Sequence, residues 1–156
     1  MDERIKVNLA AWNQMARIHA ASPGYRLAEF KAGANVLQGI ELGEVGDVGG
    51  KSLLHTQCHF GLDTMSWARL GARVTGVDFS DEAIGLARSI SAELKIPARF
   101  IQSNIYDAPG AIDEQFDMVF TSYGALCWLP DVKRWAEIAA GFVKPGDSFI
   151  SRSSIR

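Results

Sequence analysis

The sequence predicts an α/β protein in which a mostly parallel sheet is layered between helices and preceded by a helical segment. Three observations carry this. From residue 51 onward, short apolar runs alternate with stretches of helical periodicity, the pattern of strands joined by crossover helices. Before residue 50, apolar positions recur at helical spacing. The chain has 156 residues, 47% apolar and 22% charged, enough to bury one ordinary core. We therefore expect a single domain, with residues 1–50 as a helical cap and residues 51–156 as the α/β core.

In the cap, Ile5, Leu9, Trp12, Ala16 and His19 recur at three and four residues and predict one helix, stopped at Ser22-Pro23-Gly24. A second helical stretch is predicted from Leu27 into Leu42, broken near Gly33-Ala34-Asn35, with Phe30, Leu37 and Ile40 buried. The glycines from Gly43 to Gly50 read as a loop. Lys51 to Thr56 is the first strand, and a turn at Gln57 to Gly61 leads into a helix over Leu62 to Leu70, closed by Gly71. Arg73 to Asp78 is the second strand. Ser80 is a good N-cap, with Asp81 and Glu82 in the first turn of a helix that buries Ala83, Leu86, Ala87, Ile90 and Leu94. Pro97 ends that unit. Strands are predicted at Arg99 to Gln102 and Phe116 to Thr121. Asp131 then caps a helix with Val132, Trp135, Ile138 and Phe142 on one face, ending at Lys144-Pro145-Gly146, and Ser148 to Ser151 is the fifth strand.

Composition narrows the partners. A net charge of -2, with sixteen scattered Lys and Arg, provides no footprint for a phosphate backbone, so no nucleic acid is expected. Asp2-Glu3-Arg4 opens no signal core and the apolar runs are too short to span a bilayer, so no membrane is expected either. Cys58 and Cys127 lie far apart, as reduced thiols of a cytoplasmic protein do. A small molecule is the expected substrate.

The informative stretch is Leu53-Leu54-His55-Thr56-Gln57-Cys58-His59-Phe60-Gly61, then a helix, then Val74-Thr75-Gly76-Val77-Asp78-Phe79-Ser80. A tight strand-to-helix turn brings backbone N–H groups and a helix N-terminus to an anionic group. A carboxylate ending the next strand accepts bonds from ribose hydroxyls. Any adenosine-bearing cofactor can use that pair.

The order of these features resembles the class I S-adenosylmethionine-dependent methyltransferases, whose fold is a Rossmann-like three-layer αβα sandwich. Asp78 matches the family's ribose-binding acid. Phe100-Ile101-Gln102-Ser103-Asn104-Ile105-Tyr106-Asp107 resembles the third motif, in which a polar side chain, here Asn104, meets the adenine amino group beside a backbone amide. Phe116-Asp117-Met118-Val119-Phe120-Thr121-Ser122-Tyr123-Gly124 resembles the fourth-strand motif. Leu129-Pro130-Asp131 through Val143-Lys144-Pro145-Gly146 resembles the helix and turn after it. Ala11-Trp12-Asn13-Gln14-Met15-Ala16 resembles a segment that precedes the fold and covers the cofactor. The likeness runs in order from about Lys51 to Ile150, and four ordered motifs are specific where one is weak. It implies S-adenosylmethionine as cofactor, contacted by Trp12, by Gln57, His59 and Gly61, and by Asp63 and Thr64 at the next helix. The remaining contacts are Asp78, Phe79 and Ser80, Asn104 and Ile105, and Ser122.

There are departures. Where the family has an acid ending the first strand this chain has His55, and where it has the first two loop glycines this chain has Gln57 and His59. Either the loop differs in shape or it does not need both glycines, since His tolerates positive φ better than most residues. His55, Cys58 and His59 are metal-ligand types, but strand alternation and the lack of a second cluster favour packing and no metal. Asp63 and Thr64 are expected to cap their helix, hold the cofactor's amino-acid end, or both. The four tryptophans, Trp12, Trp67, Trp128 and Trp135, are expected to pack. Trp12 is the exception, because with Tyr25 it can attract a sulfonium by the ring quadrupole. His19 shares the face of Trp12 and is a candidate base, though a lone helical His is more often packed.

The expected reaction is in-line methyl transfer to an unidentified small-molecule acceptor, for which no catalytic acid or base is obligatory and none is assigned. A cofactor-binding module without turnover is the alternative. A nicotinamide oxidoreductase is weaker, because its fingerprint needs glycines at Gln57 and His59. The resemblance implies a sheet that continues past the fifth strand with another helix and two strands, whereas only Arg152 to Arg156 follow here. The expectation is a truncated fold whose exposed fifth-strand edge a homodimer would cover.

Overall fold

The computed structural model describes residues 2–122 and 124–151, in which a helical segment leads into a five-stranded parallel sheet with helices on both faces. The strands are β1 (Ser52–Thr56), β2 (Arg73–Asp78), β3 (Ala98–Gln102), β4 (Phe116–Thr121) and β5 (Val143–Ser151). The helices are α1 (Glu3–Ala21), α2 (Leu27–Lys31), α3 (Gly39–Val45), α4 (Leu62–Arg69), α5 (Asp81–Leu94), α6 (Ala108–Ala111) and α7 (Val132–Gly141). Strand order is β3-β2-β1-β4-β5, every pairing parallel. This is the Rossmann-like αβα sandwich. The chain winds outward from β1 through β2 to β3, then returns to lay β4 on the other side of β1. The connections leaving β1 and β4 therefore diverge, and a crevice opens at the C-terminal ends of these strands.

Both faces of the sheet are covered, which is why β1 is buried from Leu53 to Thr56 rather than alternating. Leu54, Val77 and Val119 point to one face and pack with Phe116, Trp135 and Phe142. Leu53, Val74, Met118 and Phe120 point to the other and meet Trp67. Beside them Phe30, Phe60, Met65, Ile84 and Phe100 fill the space beneath α4 and α5.

Helix starts follow their caps. Asp2 accepts from Arg4 N, Ser80 from Ala83 N, and Asp131 from Arg134 N, each at 2.9–3.0 Å. Gly71 follows the end of α4 at φ +98°.

Several boundaries and faces differ from expectation. The segment from Gly43 is helical as far as Val45, because Glu41 returns a carboxylate oxygen to Gln38 N at 2.7 Å and starts α3. That helix turns Glu41 and Val45 inward four residues apart, with Leu37 buried just before it, so Ile40 is exposed. On α5, Ile84 takes the fully buried place expected of Leu86, which packs with Leu94 at the margin. On α7, Val132 is 45% exposed and Ala139 joins Trp135 in the core. Lys144 to Gly146, expected to end that helix, lies inside β5, where the register jumps from Phe116↔Val143 to Met118↔Ser148. The turn residues serve as a bulge that absorbs the extra chain. Within the described residues β5 forms one edge of the sheet and β3 the other. Tyr123 of the fourth-strand motif and the segment Arg152 to Arg156 lie outside the described residues.

Gly61 has φ +79°, and a Cβ there would lie 2.6 Å from two ring atoms of Phe100 and 3.2 Å from Ala87. Both the left-handed backbone and the contact penalise any side chain, so Gly61→Ala is expected to destabilise the fold by at least about 2 kcal/mol. The urea midpoint measures this, and a variant as stable as the parent would show that the loop repacks freely.

Candidate functional site

A cavity of about 550 Å³ sits at the C-terminal ends of β1, β2 and β4, at the strand-order switch. Its floor is the turn after β1. Cys58 N donates to Val77 O and Gly61 N to Cys58 O, both at 3.0 Å, which closes the turn against β2. Gln57, His59 and Gly61 all have positive φ, at 51°, 53° and 79°. The first two fall in the left-handed well that ordinary residues enter at a cost of about 1–2 kcal/mol, so the loop accepts them where it cannot accept a side chain at Gly61. Each also gains a contact that glycine lacks. With its amide turned to satisfy both ends, Gln57 donates to Thr56 Oγ1 at 2.7 Å and accepts from Trp135 Nε1 at 3.2 Å. The His59 ring packs against Trp12 and Phe60. Cys58 is buried in the turn, and burial holds its thiol well above the ordinary range.

Asp78, at the end of β2, anchors this turn. Its Oδ2 accepts His59 N and its Oδ1 accepts Ser80 N, both at 2.9 Å. Burial pushes the carboxyl up to about 6, against the downward pull of the backbone donors at Ser80, His59 and Phe79.

His55 occupies the place of the family acid as a neutral bridge. Its Nδ1 lies 2.7 Å from Thr64 Oγ1 and its Nε2 3.0 Å from Ser122 Oγ, tying α4 to the loop after β4 across the switch point. Burial lowers its pKa from 6.5 to about 3. Thr56 and Thr121 hydroxyls bond to each other beside it. Among the described residues no three of His, Cys, Asp and Glu converge as a metal site would require.

The roof comes from the N-terminal segment. On α1, Asn13 bonds Asp81 and receives the Ser80 hydroxyl at 2.7 and 2.6 Å, and Arg17 pairs with Glu82 at 2.6 Å, so the helix is laid across the start of α5. Trp12 meets His59 and Trp128 edge-on at 5.3 and 5.4 Å. Among the described residues no helix is long and apolar enough to cross a membrane.

Ten of the twelve residues assigned from sequence line this cavity: Trp12, Gln57, His59, Gly61, Asp63, Asp78, Phe79, Asn104, Ile105 and Ser122. Thr64 and Ser80 do not. Thr64 is fully buried and spends its hydroxyl on His55, and Ser80 lies behind Asp78, capping α5 and bonding Asn13. The expected capping by Asp63 and Thr64 is also corrected, since α4 begins at Gly61 with no side-chain cap. The Asp63 carboxyl faces the cavity, where desolvation and the nearby Glu41 charge push it up to about 7. Asn104 Oδ1 accepts Tyr106 N at 3.2 Å and so stiffens its own turn. Trp128, expected to pack, is 47% exposed and stands at the cavity rim with Leu129 and Pro130. Sequence reasoning missed this rim and also Arg26, whose φ of 57° turns the chain beside Tyr25 into the cavity wall. Leu129 and Pro130 belong to a motif that reads only as the lead into a helix, and Arg26 carries no periodic or motif signal.

The sequence profile of the methyltransferase domain matches residues 54–146. The chain belongs to the methyltransferase domain family. It is 35% identical over 97 residues to the ubiquinone biosynthesis O-methyltransferase of Proteus mirabilis (strain HI4320), covering 62% of this chain and 39% of that protein. The protein of the same name from Photorhabdus laumondii is 33% identical over 101 residues, covering 65% and 42%. The chain thus spans about two fifths of the length of the curated relatives it matches. Among solved structures, the DhpI-SAM-HEP complex is 25% identical with a TM-score of 0.70, over 96% of this chain and 65% of that one.

The site's titrations oppose each other. Native His55 refuses the proton that an unfolded His takes up below about pH 6.5, so its burial costs stability as pH falls from there toward 3. Asp63 and Asp78, raised above 3.8 to about 7 and about 6, contribute stability at low pH that is lost as pH rises through those values. His55→Gln retains one donor and one acceptor. We expect it to lose less stability than the parent between about pH 7 and about pH 4.5, measured by urea midpoints. Equal losses would exclude a buried neutral His55.

Proposed function

We propose that the cavity binds S-adenosylmethionine and that the chain acts in methyl transfer to a small-molecule acceptor. One observation carries this reading above the others. The Asp78 carboxylate is buried at the end of β2 and lines the cavity; its two oxygens offer about four lone-pair sites against backbone donors at His59, Ser80 and Phe79, so acceptor capacity is left for a ribose hydroxyl.

The rest of the donor set suits the same group. Phe79 and Ile105 provide apolar walls for a purine, beside Asn104. The first turn of α4 has no side-chain cap, leaving N–H groups of Leu62 and Asp63, both at the cavity, for the carboxylate of an amino-acid tail. Asp63 suits its ammonium. Trp12 and Tyr25 line the cavity, where an aromatic ring can attract a positive sulfur. The bound cofactor supplies a methyl group already activated for displacement, so the protein's task is to align it, position the acceptor and exclude water. The rim of Ile5, Trp128, Leu129 and Pro130 supports an acceptor with an apolar body. Family membership and the O-methyltransferase names of the curated relatives agree with this reading.

Calorimetry with S-adenosylhomocysteine and NAD side by side tests it, with binding expected for the first alone. Asp78→Asn removes the charge from the ribose contacts and is expected to weaken S-adenosylhomocysteine by at least about tenfold. A folded Asp78→Asn chain with parental affinity would refute the ribose assignment.

A further inference from the structure

Two carboxyl groups lie within electrostatic reach of each other at one end of the cavity. The Asp63 side chain, in the first turn of α4, lines the cavity and makes no hydrogen bond to any described residue. Glu41, on α3, is buried behind it with Oε2 accepting Gln38 N at 2.7 Å, and its charge acts on Asp63. From the turn Pro23–Tyr25 after α1, the Tyr25 phenol also lines the cavity and feels the charge of Asp63 in turn.

No cation of the protein balances this pair. Among the described residues Arg26 is the one Lys or Arg that lines the cavity, and Glu29 holds its guanidinium through bonds of 2.8 and 2.6 Å. The cavity imidazoles, His55 and His59, are kept neutral, burial bringing each down to about 3. His55 moreover stands where the resemblance implies an acid, with both ring nitrogens committed to Thr64 and Ser122. Asp78 is committed to the backbone at His59 and Ser80. Asp63 is thus the cavity acid left to meet a cation. Two like charges in a desolvated site without a counter-cation do not both persist, so the site takes up a proton or a positive ligand.

Resting on the cofactor reading above, we infer that Asp63, with Glu41 behind it, is the specificity-determining residue for the cofactor's amino-acid tail, holding a proton when the site is empty and releasing it as the tail's ammonium takes its place. The exchange balances. The ammonium keeps its own protons, the carboxyl proton passes to solvent, and the net charge at this end of the cavity is the same before and after. In the empty site desolvation, and then Glu41, push Asp63 up to about 7, whereas an ammonium beside the carboxylate draws it back down. Below about pH 7 the cofactor therefore has to displace a proton and loses affinity as pH falls, while above it the carboxylate is already free. A ligand whose tail lacks the ammonium gains no such pair and leaves the proton in place.

Calorimetry of the full chain with S-adenosylhomocysteine, run at each pH in buffers of different ionisation enthalpy, counts the protons released. We expect about half a proton per ligand at about pH 7, none by about pH 8.5, and an affinity that rises about tenfold from about pH 6 to about pH 8. Asp63→Asn is expected to release about half a proton fewer at about pH 7, a difference that removes any share from Asp78. The parent is expected to prefer S-adenosylhomocysteine over its des-amino analogue by at least about tenfold, and Asp63→Asn to bind the two alike. Glu41→Gln, which keeps an acceptor for Gln38 N, is expected to move the release to lower pH. Equal release by the parent and Asp63→Asn, or a parent that binds the des-amino analogue as tightly as S-adenosylhomocysteine, overturns the inference and leaves the cofactor reading intact. Release at an unmoved pH in Glu41→Gln overturns the part given to Glu41. Failure of the folded parent to bind S-adenosylhomocysteine overturns the cofactor reading itself, and the inference with it.

Discussion

The hydrogen bonds of Asp78 to the backbone on both sides of it are the constraint on which the rest of the site depends. One carboxylate oxygen holds His59 N in the turn after β1, and the other holds Ser80 N at the start of α5. The turn of one βαβ unit and the beginning of the next helix are therefore fixed to the same side chain. Because a buried carboxylate needs donors, the fold cannot relax one of these elements without stranding the acid. The left-handed residues at Gln57 and His59 persist under this restraint. Their modest backbone cost is offset by the bond to Asp78 and by the contacts their side chains make.

At the switch point the floor of the crevice is a polar network. His55 joins Thr64 to Ser122, and Thr56 joins Thr121, so buried hydroxyls on α4, β1 and β4 satisfy one another. A neutral imidazole can do this because it donates from one nitrogen and accepts at the other, and burial keeps it neutral. With His55 where the resemblance implies an acid, the floor carries a neutral bridge between α4 and the loop after β4. The acids facing the cavity are then Asp63 and Asp78, placed one at the uncapped helix start and one at the end of β2.

The roof is attached differently from the floor. Only Ile5 and Ala16 of α1 are fully buried, and much of what holds the helix is polar: Asn13 and Arg17 to the first turn of α5, Asn8 to Trp128 O, and His19 to His59. These bonds converge on elements that also line the cavity. The aromatic rings beneath α1 consequently form part of the site wall as well as part of the packing.

The sequence by itself determined the βαβ order, the strand positions from Ser52 to Thr121, the helix caps at Ser80 and Asp131, and the acid at Asp78, because each rests on local periodicity or on a side chain bonding its own neighbourhood. It also marked ten residues of the cavity wall, since motifs at strand ends share one edge of a parallel sheet. Tertiary structure decided what depends on a distant partner. It set which face α3 buries, since that follows from Glu41 turning inward. It also sent the Thr64 hydroxyl back to His55 on β1, and His55 on to Ser122 across the switch point, instead of leaving Thr64 to its own helix end. The same reason explains why Trp128 stands at a rim and why His19 and His59, forty residues apart, share a hydrogen bond. No local pattern encodes a contact whose two halves are brought together only when α1 closes over the completed sheet.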